Sequence, residues 1–171
     1  IGTDLSNNQD QSFLQDVFLL EVESKKLTRI TNGNGYFGNV TWSPDGRYLG
    51  MIGHESEFKN ATLSKLWVYH LELKEMSCLT SEWDVAVGDY MVSDFRYGGI
   101  TPGMLWTENS ESFYFLASDY GNTAVYYGNL NGEIYPALLD QQHVYGLTID
   151  GQNRAIVAIS NATEPGDLYE L

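Results

Sequence analysis

The chain has 171 residues, enough for one domain with a sizeable core. Aromatic residues make up 13% of it, and such wide side chains favour β-strands. The formal net charge of −14 at pH 7 repels nucleic acid and anionic lipid, because both bind proteins through Lys and Arg. We therefore expect neither a nucleic-acid partner nor a membrane partner, and the simplest reading of the acidity is solubility.

The cysteine content and the chain's start bear on its compartment and its origin. Cys78 is the single cysteine, so nothing in the chain requires an oxidising compartment. No apolar run is long enough to span a bilayer. We expect a cytoplasmic protein. Because the chain opens at Ile1 without an initiator methionine, we also expect it to be a piece of a larger protein.

The first predicted element is a hairpin that recurs along the chain. Residues 16–31 read as an apolar strand, a polar turn and a weaker strand that ends in Leu-Thr or a similar pair. Residues 65–80 and 124–139 repeat this pattern, and residues 166–171 begin a fourth copy. Such self-similarity at a fixed spacing indicates a repeat fold.

A second kind of hairpin alternates with the first. Residues 39–54, 103–118 and 144–159 each read as a short alternating strand, a polar turn and a second apolar strand. In the clearest turn, Pro44 fixes φ, Asp45 caps its own backbone and Gly46 accepts a positive φ. Matching the three copies aligns Trp42 with Trp106 and Leu147, and Asp45 with Asn109 and Asp150. We expect Trp42 and Trp106 to be core residues in equivalent positions.

Two such hairpins make a four-stranded unit of about 40 residues, which is the size of one propeller blade. The predicted fold is all-β, a β-propeller fragment of about three four-stranded antiparallel blades, two of them complete. A β-sandwich is the alternative, but it would not need the same pair of hairpins in the same order. The predicted parts are the outer hairpin of a cut blade at 16–31, a full blade at 39–80 with a small insertion at 55–64, an insertion at 81–101, a full blade at 103–139 and an incomplete blade at 144–171.

The sequence offers no catalytic, cofactor-binding or metal-ligating set. It contains no Gly-x-Ser-x-Gly motif, and its three histidines are scattered, so we expect structural or solvent-facing roles for them. The glycines at 33–38 fit Gly-x-Gly-x-x-Gly, but a strand and a turn follow where a dinucleotide site needs a helix. Asp45 and Asp150 lack the further oxygen ligands of a calcium loop, so we interpret both as turn residues.

The insertion at 81–101 is the most distinctive segment outside the repeat. Its charged residues include Asp84, Asp89, Asp94 and Arg96, which stand among its aromatics. Loops inserted into a tight repeat often bind ligands, so Asp94 and Arg96 are the candidate substrate-gating surface. The alternative is a packed loop whose aromatic side chains cover a blade end.

The motifs NVTWSPDGRYLGMIGH, LTSEWDVAVGDYMVSD, PGMLWTENSESFYFLAS and HVYGLTIDG, in this order, resemble the propeller of acylaminoacyl-peptidase-type enzymes in the prolyl oligopeptidase family of serine peptidases. The resemblance covers nearly the whole chain from about residue 15. It implies a propeller that precedes an α/β-hydrolase domain and acts as a lid, admitting short peptides to a Ser-Asp-His site. None of those three catalytic residues has a counterpart here.

The resemblance leads to two hypotheses of function. In the first, the chain is the non-catalytic, gating portion of such a peptidase, and its partners are the α/β-hydrolase domain of the same parent chain and short peptides. In the second, it is a stand-alone propeller that binds proteins or glycans. In either case we expect the edges of the opening hairpin at 16–31 and of the closing unit at 144–171 to support self-association.

Overall fold

The computed structural model describes residues 2–3, 13–92 and 102–171. The described residues form antiparallel sheets with one short 3₁₀ helix, Lys59–Ala61, so the prediction of an all-β chain is confirmed. The strands are β1 (Gly2–Thr3), β2 (Asp16–Glu21), β3 (Lys26–Arg29), β4 (Tyr36–Trp42), β5 (Tyr48–His54), β6 (Lys65–His70), β7 (Glu75–Cys78), β8 (Ala86–Val87), β9 (Leu105–Trp106), β10 (Ser112–Asp119), β11 (Asn122–Asn129), β12 (Ile134–Leu138), β13 (His143–Ile149), β14 (Ala155–Ser160) and β15 (Asp167–Glu170).

The first complete blade is a four-stranded antiparallel sheet in the order β4, β5, β6, β7. Its turns follow the predicted chemistry. Asp45 Oδ1 accepts hydrogen bonds from the Arg47 N–H at 3.0 Å and from Ser43 Oγ at 2.7 Å, and Gly46 has φ of 71°. Thr80 Oγ1 accepts a hydrogen bond from the Leu66 N–H at 3.0 Å, which fixes the Leu-Thr end of the outer hairpin.

The second blade has an inner strand in two pieces. The central strand β10 pairs with β11, and β11 pairs with β12. The other edge of β10 is shared, because β8 pairs with Ala117 and Ser118, and β9 pairs with Phe113 and Tyr114. Both pieces run antiparallel to β10, so they form one inner strand that residues 88–104 interrupt. We call residues 88–104 the excursion.

The outer elements of the chain flank these two blades. At the closing end, β13, β14 and β15 form a three-stranded antiparallel unit that joins β11 through the parallel pair Thr123–His143. At the opening end, β2 and β3 form the predicted hairpin. The short strand β1 pairs with β2 at Val17 and Asp16, so part of the edge that we expected to be free carries a partner.

The strand registers define equivalent positions in successive blades. Trp42 pairs with Leu49, and Trp106 pairs with Phe113. In the third unit the residue at this position is Ile149, which pairs with Ala155. The predicted alignment of Leu147 with the two tryptophans is therefore wrong by two residues.

A shorter turn explains the error. The Ser43 N–H closes its turn on the carbonyl of Tyr48, five residues on, whereas the Asp150 N–H closes on the carbonyl of Arg154, four residues on. Asp150 thus takes the backbone position of Ser43 while its carboxylate caps the turn as Asp45 does, accepting from the Gln152 N–H at 2.8 Å. The turn roles predicted for Asp45 and Asp150 are confirmed.

The core lies between the blades. One cluster joins the first two blades and is built from Ile52, Leu66, Val68, Val87, Met104, Trp106, Phe113, Phe115, Ala117, Ala124 and Tyr126. Trp106 is 8% exposed, as predicted, and its Nε1 donates to Thr41 Oγ1 of the first blade at 3.2 Å. Trp42 is 54% exposed, so its assignment to the core is wrong. The difference arises because Trp106 is buried by the preceding blade, whereas only the three-stranded sheet β1–β2–β3 precedes the blade of Trp42 among the described residues.

Candidate functional site

The excursion leaves the second blade where the inner strands of all three units begin. Phe37, Val87 and Val144 occupy the same position there and are fully buried. The first and third inner strands depart from regular pairing just after this position, between Gly38 and Thr41 and between Val144 and Gly146. The excursion occupies the corresponding point of the second blade. It therefore stands where the inner strands of the other two units have a break in regular strand pairing.

Backbone geometry fixes the first residues of the excursion. Gly88 has φ of 123°, a conformation that L side chains rarely adopt. Its N–H donates to the Leu116 carbonyl at 2.8 Å, and its carbonyl accepts from Ser118 Oγ at 3.0 Å. The Tyr90 N–H then donates to the same Ser118 Oγ at 2.8 Å. The chain thus turns away from β10 while remaining bonded to it.

Asp89 is the centre of a polar network that joins the excursion to two blades. Its Oδ1 accepts from Thr123 Oγ1 at 2.8 Å and from the Met91 N–H at 3.1 Å, and its Oδ2 lies 2.7 Å from His143 Nε2. With the Asp89 carboxylate as the acceptor, His143 Nε2 is the donor of this hydrogen bond. His143 is 7% exposed, and its Nδ1 has no hydrogen-bond partner among the described residues.

The first blade holds the excursion from the other side. Tyr90 Oη lies 2.6 Å from Ser64 Oγ, and the Val87 N–H donates to the Ser64 carbonyl at 3.0 Å. The base of the excursion is therefore bonded to all three units. Val92, the last described residue before the gap, is 93% exposed. The candidate gating residues Asp94 and Arg96 lie outside the described residues.

Sequence analysis identified Asp89 as a charged residue of the insertion but did not identify the residues that bind it. His143 was expected to have a structural or solvent-facing role, and Thr123 was not singled out. The available signal was positional, because His143 opens an inner strand and Thr123 lies at the start of the third strand of the preceding blade. Residues at these two positions meet across neighbouring blades, as Gln15 and Tyr36 also do.

A groove of about 730 Å³ opens beside this region, in the first blade. We call it the lateral groove. One wall is rigid, because Trp67 Nε1 donates to the Gly53 carbonyl at 3.0 Å and its ring packs edge-on against Phe37. Burial lowers the pKa of His54 and raises the pKa of the Cys78 thiol. The groove is lined by Asn34, His54, Glu55, Glu57, Phe58, Ala61, Thr62, Leu63, Lys65, Trp67, Cys78, Ser81 and Asp84.

Two further findings bear on the site's chemistry. Within residues 2–3, 13–92 and 102–171, no group of three or more His, Cys, Asp or Glu side chains could hold a metal ion. In the same ranges, no helix is long and apolar enough to cross a membrane.

Comparison with known proteins identifies peptidases and propellers. No protein-family profile matches the chain. The uncharacterized peptidase YuxL from Bacillus subtilis is 35% identical over 119 residues. That alignment covers 69% of this chain and only 18% of YuxL, so the chain spans less than a fifth of its relative.

Solved structures show the fold. The β-propeller domain of the trilobed protease from Pyrococcus furiosus aligns with a TM-score of 0.64 at 20% identity, covering 92% of this chain and 43% of that one. The acylaminoacyl peptidase of Pyrococcus horikoshii aligns with a TM-score of 0.64 at 18% identity, and the alignment covers 92% of this chain and 21% of that one. TolB from Acinetobacter baumannii aligns with a TM-score of 0.59 at 10% identity, and the alignment covers 91% of this chain and 34% of that one.

These likenesses agree with the sheet topology, in which whole four-stranded antiparallel units follow one another and pack face to face. They also agree with the order of motifs along the sequence. The chain therefore has the fold of part of a β-propeller, the fold that it shares with the trilobed protease propeller domain and the acylaminoacyl peptidase.

Proposed function

We propose that this chain is the non-catalytic, substrate-gating propeller portion of a cytoplasmic serine peptidase of the acylaminoacyl-peptidase type. Such an enzyme releases acylated or short-peptide N-terminal residues. The partners would be an α/β-hydrolase domain of the same parent chain and short peptides. The relative YuxL, named as a peptidase, supports this class of parent protein.

The observation that carries the gating role is the excursion. It interrupts the innermost strand of the second blade, at the end where the inner strands begin, and its base is bonded to all three units. A loop on the inner strand is well placed to narrow the route to a site beyond the ring. The Asp89 network would hold the start of that loop at a fixed position beside the route of the peptide.

The experiment uses the full-length peptidase with Asp94→Ala and Arg96→Ala combined. We expect a changed kcat/KM for peptide substrates, an unchanged kcat/KM for a small chromogenic amide, and an unchanged midpoint of thermal unfolding. Glu82→Ala is the matched control, because Glu82 is exposed and precedes the excursion. Wild-type kinetics across peptides of several lengths would contradict the gating role.

A stand-alone binding propeller for proteins or glycans is the second candidate. The structural likeness to TolB from Acinetobacter baumannii supports it, because the fold of this chain also occurs in that protein. Labelling of the full-length protein with a fluorophosphonate probe separates the two candidates. A labelled serine outside these 171 residues supports the peptidase, and the absence of any labelled serine supports the binding propeller.

A further inference from the structure

The lateral groove has the composition of a binding site rather than of a packing defect. Phe58 is 66% exposed and Leu63 is also exposed, and both line the groove together with the fixed ring of Trp67. Exposed apolar side chains beside a rigid aromatic wall give a surface that gains free energy when another apolar group covers it.

Charge defines what else the occupant must carry. Three carboxylates, those of Glu55, Glu57 and Asp84, line the groove, against the single ammonium group of Lys65. That ammonium is directed at the protein, because Lys65 Nζ donates to the backbone carbonyl of Trp83. His54 adds no charge near neutral pH, since burial lowers its pKa. The groove therefore presents negative charge to a ligand.

The position of the groove ties it to the proposed site. It lies at the end of the first blade where β5 ends and β6 begins, and residues 81–84 on its rim lead directly into β8. The excursion leaves the second blade just after β8. A peptide in the groove would therefore lie on the same end of the blades as the excursion.

We propose that the lateral groove binds a short peptide segment in which a cationic side chain, Arg or Lys, stands between apolar side chains. The apolar side chains cover Phe58, Leu63 and Trp67, and the cation lies among Glu55, Glu57 and Asp84. The assignment of this peptide as a substrate of the parent enzyme rests on the proposed function. The groove would then bind peptides with this pattern before they reach the excursion.

The test measures binding to the full-length protein by isothermal titration calorimetry, with acetyl-Leu-Arg-Leu-amide as the probe. The matched ligand is the same peptide with citrulline, which keeps the shape of arginine and removes the charge. We expect the citrulline peptide to bind about tenfold more weakly, the size expected for a charge-assisted contact. Equal affinities for the two peptides would overturn the proposal.

A pair of variants locates the site. Glu57→Gln combined with Asp84→Asn should weaken binding of the arginine peptide about tenfold, because both carboxylates line the groove. The control is Glu72→Gln with Glu75→Gln, which removes two exposed charges of the same blade outside the groove and should leave affinity unchanged. Equal losses in both double variants would show only a general charge effect and would contradict the proposal.

Cys78 gives a second readout because this residue lines the groove. Saturating arginine peptide should slow alkylation of Cys78 by iodoacetamide, as followed by peptide mass spectrometry. Binding without protection of Cys78 would place the peptide elsewhere. No step of this test uses catalysis, so its failure leaves the gating role of the excursion intact, and failure of gating leaves the binding result intact.

Discussion

Trp106 and Trp42 occupy the same position in successive blades, yet one is buried and the other is mostly exposed. Trp106 lies against the first blade, stacking on Tyr48 with ring centroids 6.2 Å apart and donating to Thr41. Trp42 has no inner hairpin on its corresponding side among the described residues. The comparison shows that burial in this repeat comes from the neighbouring blade, whereas the blade's own sheet fixes only the direction of the side chain.

The largest expected difference is between the two tryptophan-to-alanine variants. Trp106→Ala should lower the free energy of unfolding by about 3–5 kcal/mol, because it empties the core between two blades. Trp42→Ala should cost about 1 kcal/mol or less, since half of that side chain is already in water. Urea denaturation followed by circular dichroism measures both. Equal losses would show that Trp42 is buried in solution.

A smaller effect on stability is expected where the returning end of the excursion, just before β9, meets the first blade. A Cβ on Gly103 would lie 2.3 Å from the Asn39 carbonyl oxygen, and backbone cannot easily move aside. Gly103→Ala should therefore cost about 1–3 kcal/mol by overpacking. Gly151→Ala is the control, because a Cβ there meets nothing within 4 Å, and it should change stability by about 0.5 kcal/mol or less. Thermal unfolding measures both variants. Equal unfolding midpoints for the two would contradict the predicted contact.

The Asp89 network should contribute to the free energy of unfolding by an amount comparable to, or slightly smaller than, the effect of Gly103→Ala. Asp89→Ala leaves the Nε2 proton of buried His143 and the hydroxyl of Thr123 without their acceptor. The expected cost is about 1–3 kcal/mol. The variant should also speed amide hydrogen exchange of residues 88–92, which a loss of general stability alone would not confine to this segment. Exchange that rises equally across β4–β7 would contradict the role of Asp89 as an anchor.

The smallest effect concerns pH. Hydrogen bonds from the Arg47 N–H and Ser43 Oγ lower the pKa of Asp45 to about 2. A carboxyl whose folded pKa is depressed stabilises the fold above its unfolded pKa, and that contribution is lost as pH falls from about 4 to about 2. Asp45→Asn should flatten the acid limb of the stability curve in this window. An unchanged acid limb in urea titrations at several pH values would count against the turn geometry.

The hairpins and their turns could be predicted from the sequence because their signals are local. Ser43, Asp45 and Gly46 form the turn that their side chains and backbone preferences indicate. The exposure of Trp42 could not be predicted, because it depends on which blade lies next to it. The alignment of Leu147 failed because Asp150 combines the turn roles that Ser43 and Asp45 share in the first blade, and the hydrophobic pattern does not show this.

The candidate site was predictable only as a segment. An unusually long insertion marked residues 81–101, but β8 is two residues long and carries no strand signature of its own. That short strand makes residues 86–87 part of the second blade and turns the rest of the insertion into an excursion from its inner strand. The partners of Asp89 lie 34 and 54 residues further along the chain, a separation that no local motif encodes.

One graft tests the gating account most directly. In the full-length enzyme, residues 88–105 are replaced by Gly-Asn-Val-Thr, the residues that join Phe37 to Trp42 in the first blade. The second blade then has the inner strand of the first, without the excursion. The account predicts that kcat/KM for long peptides rises relative to that for a dipeptide amide, because the route through the ring is wider. An unchanged ratio in a folded, active variant would contradict it.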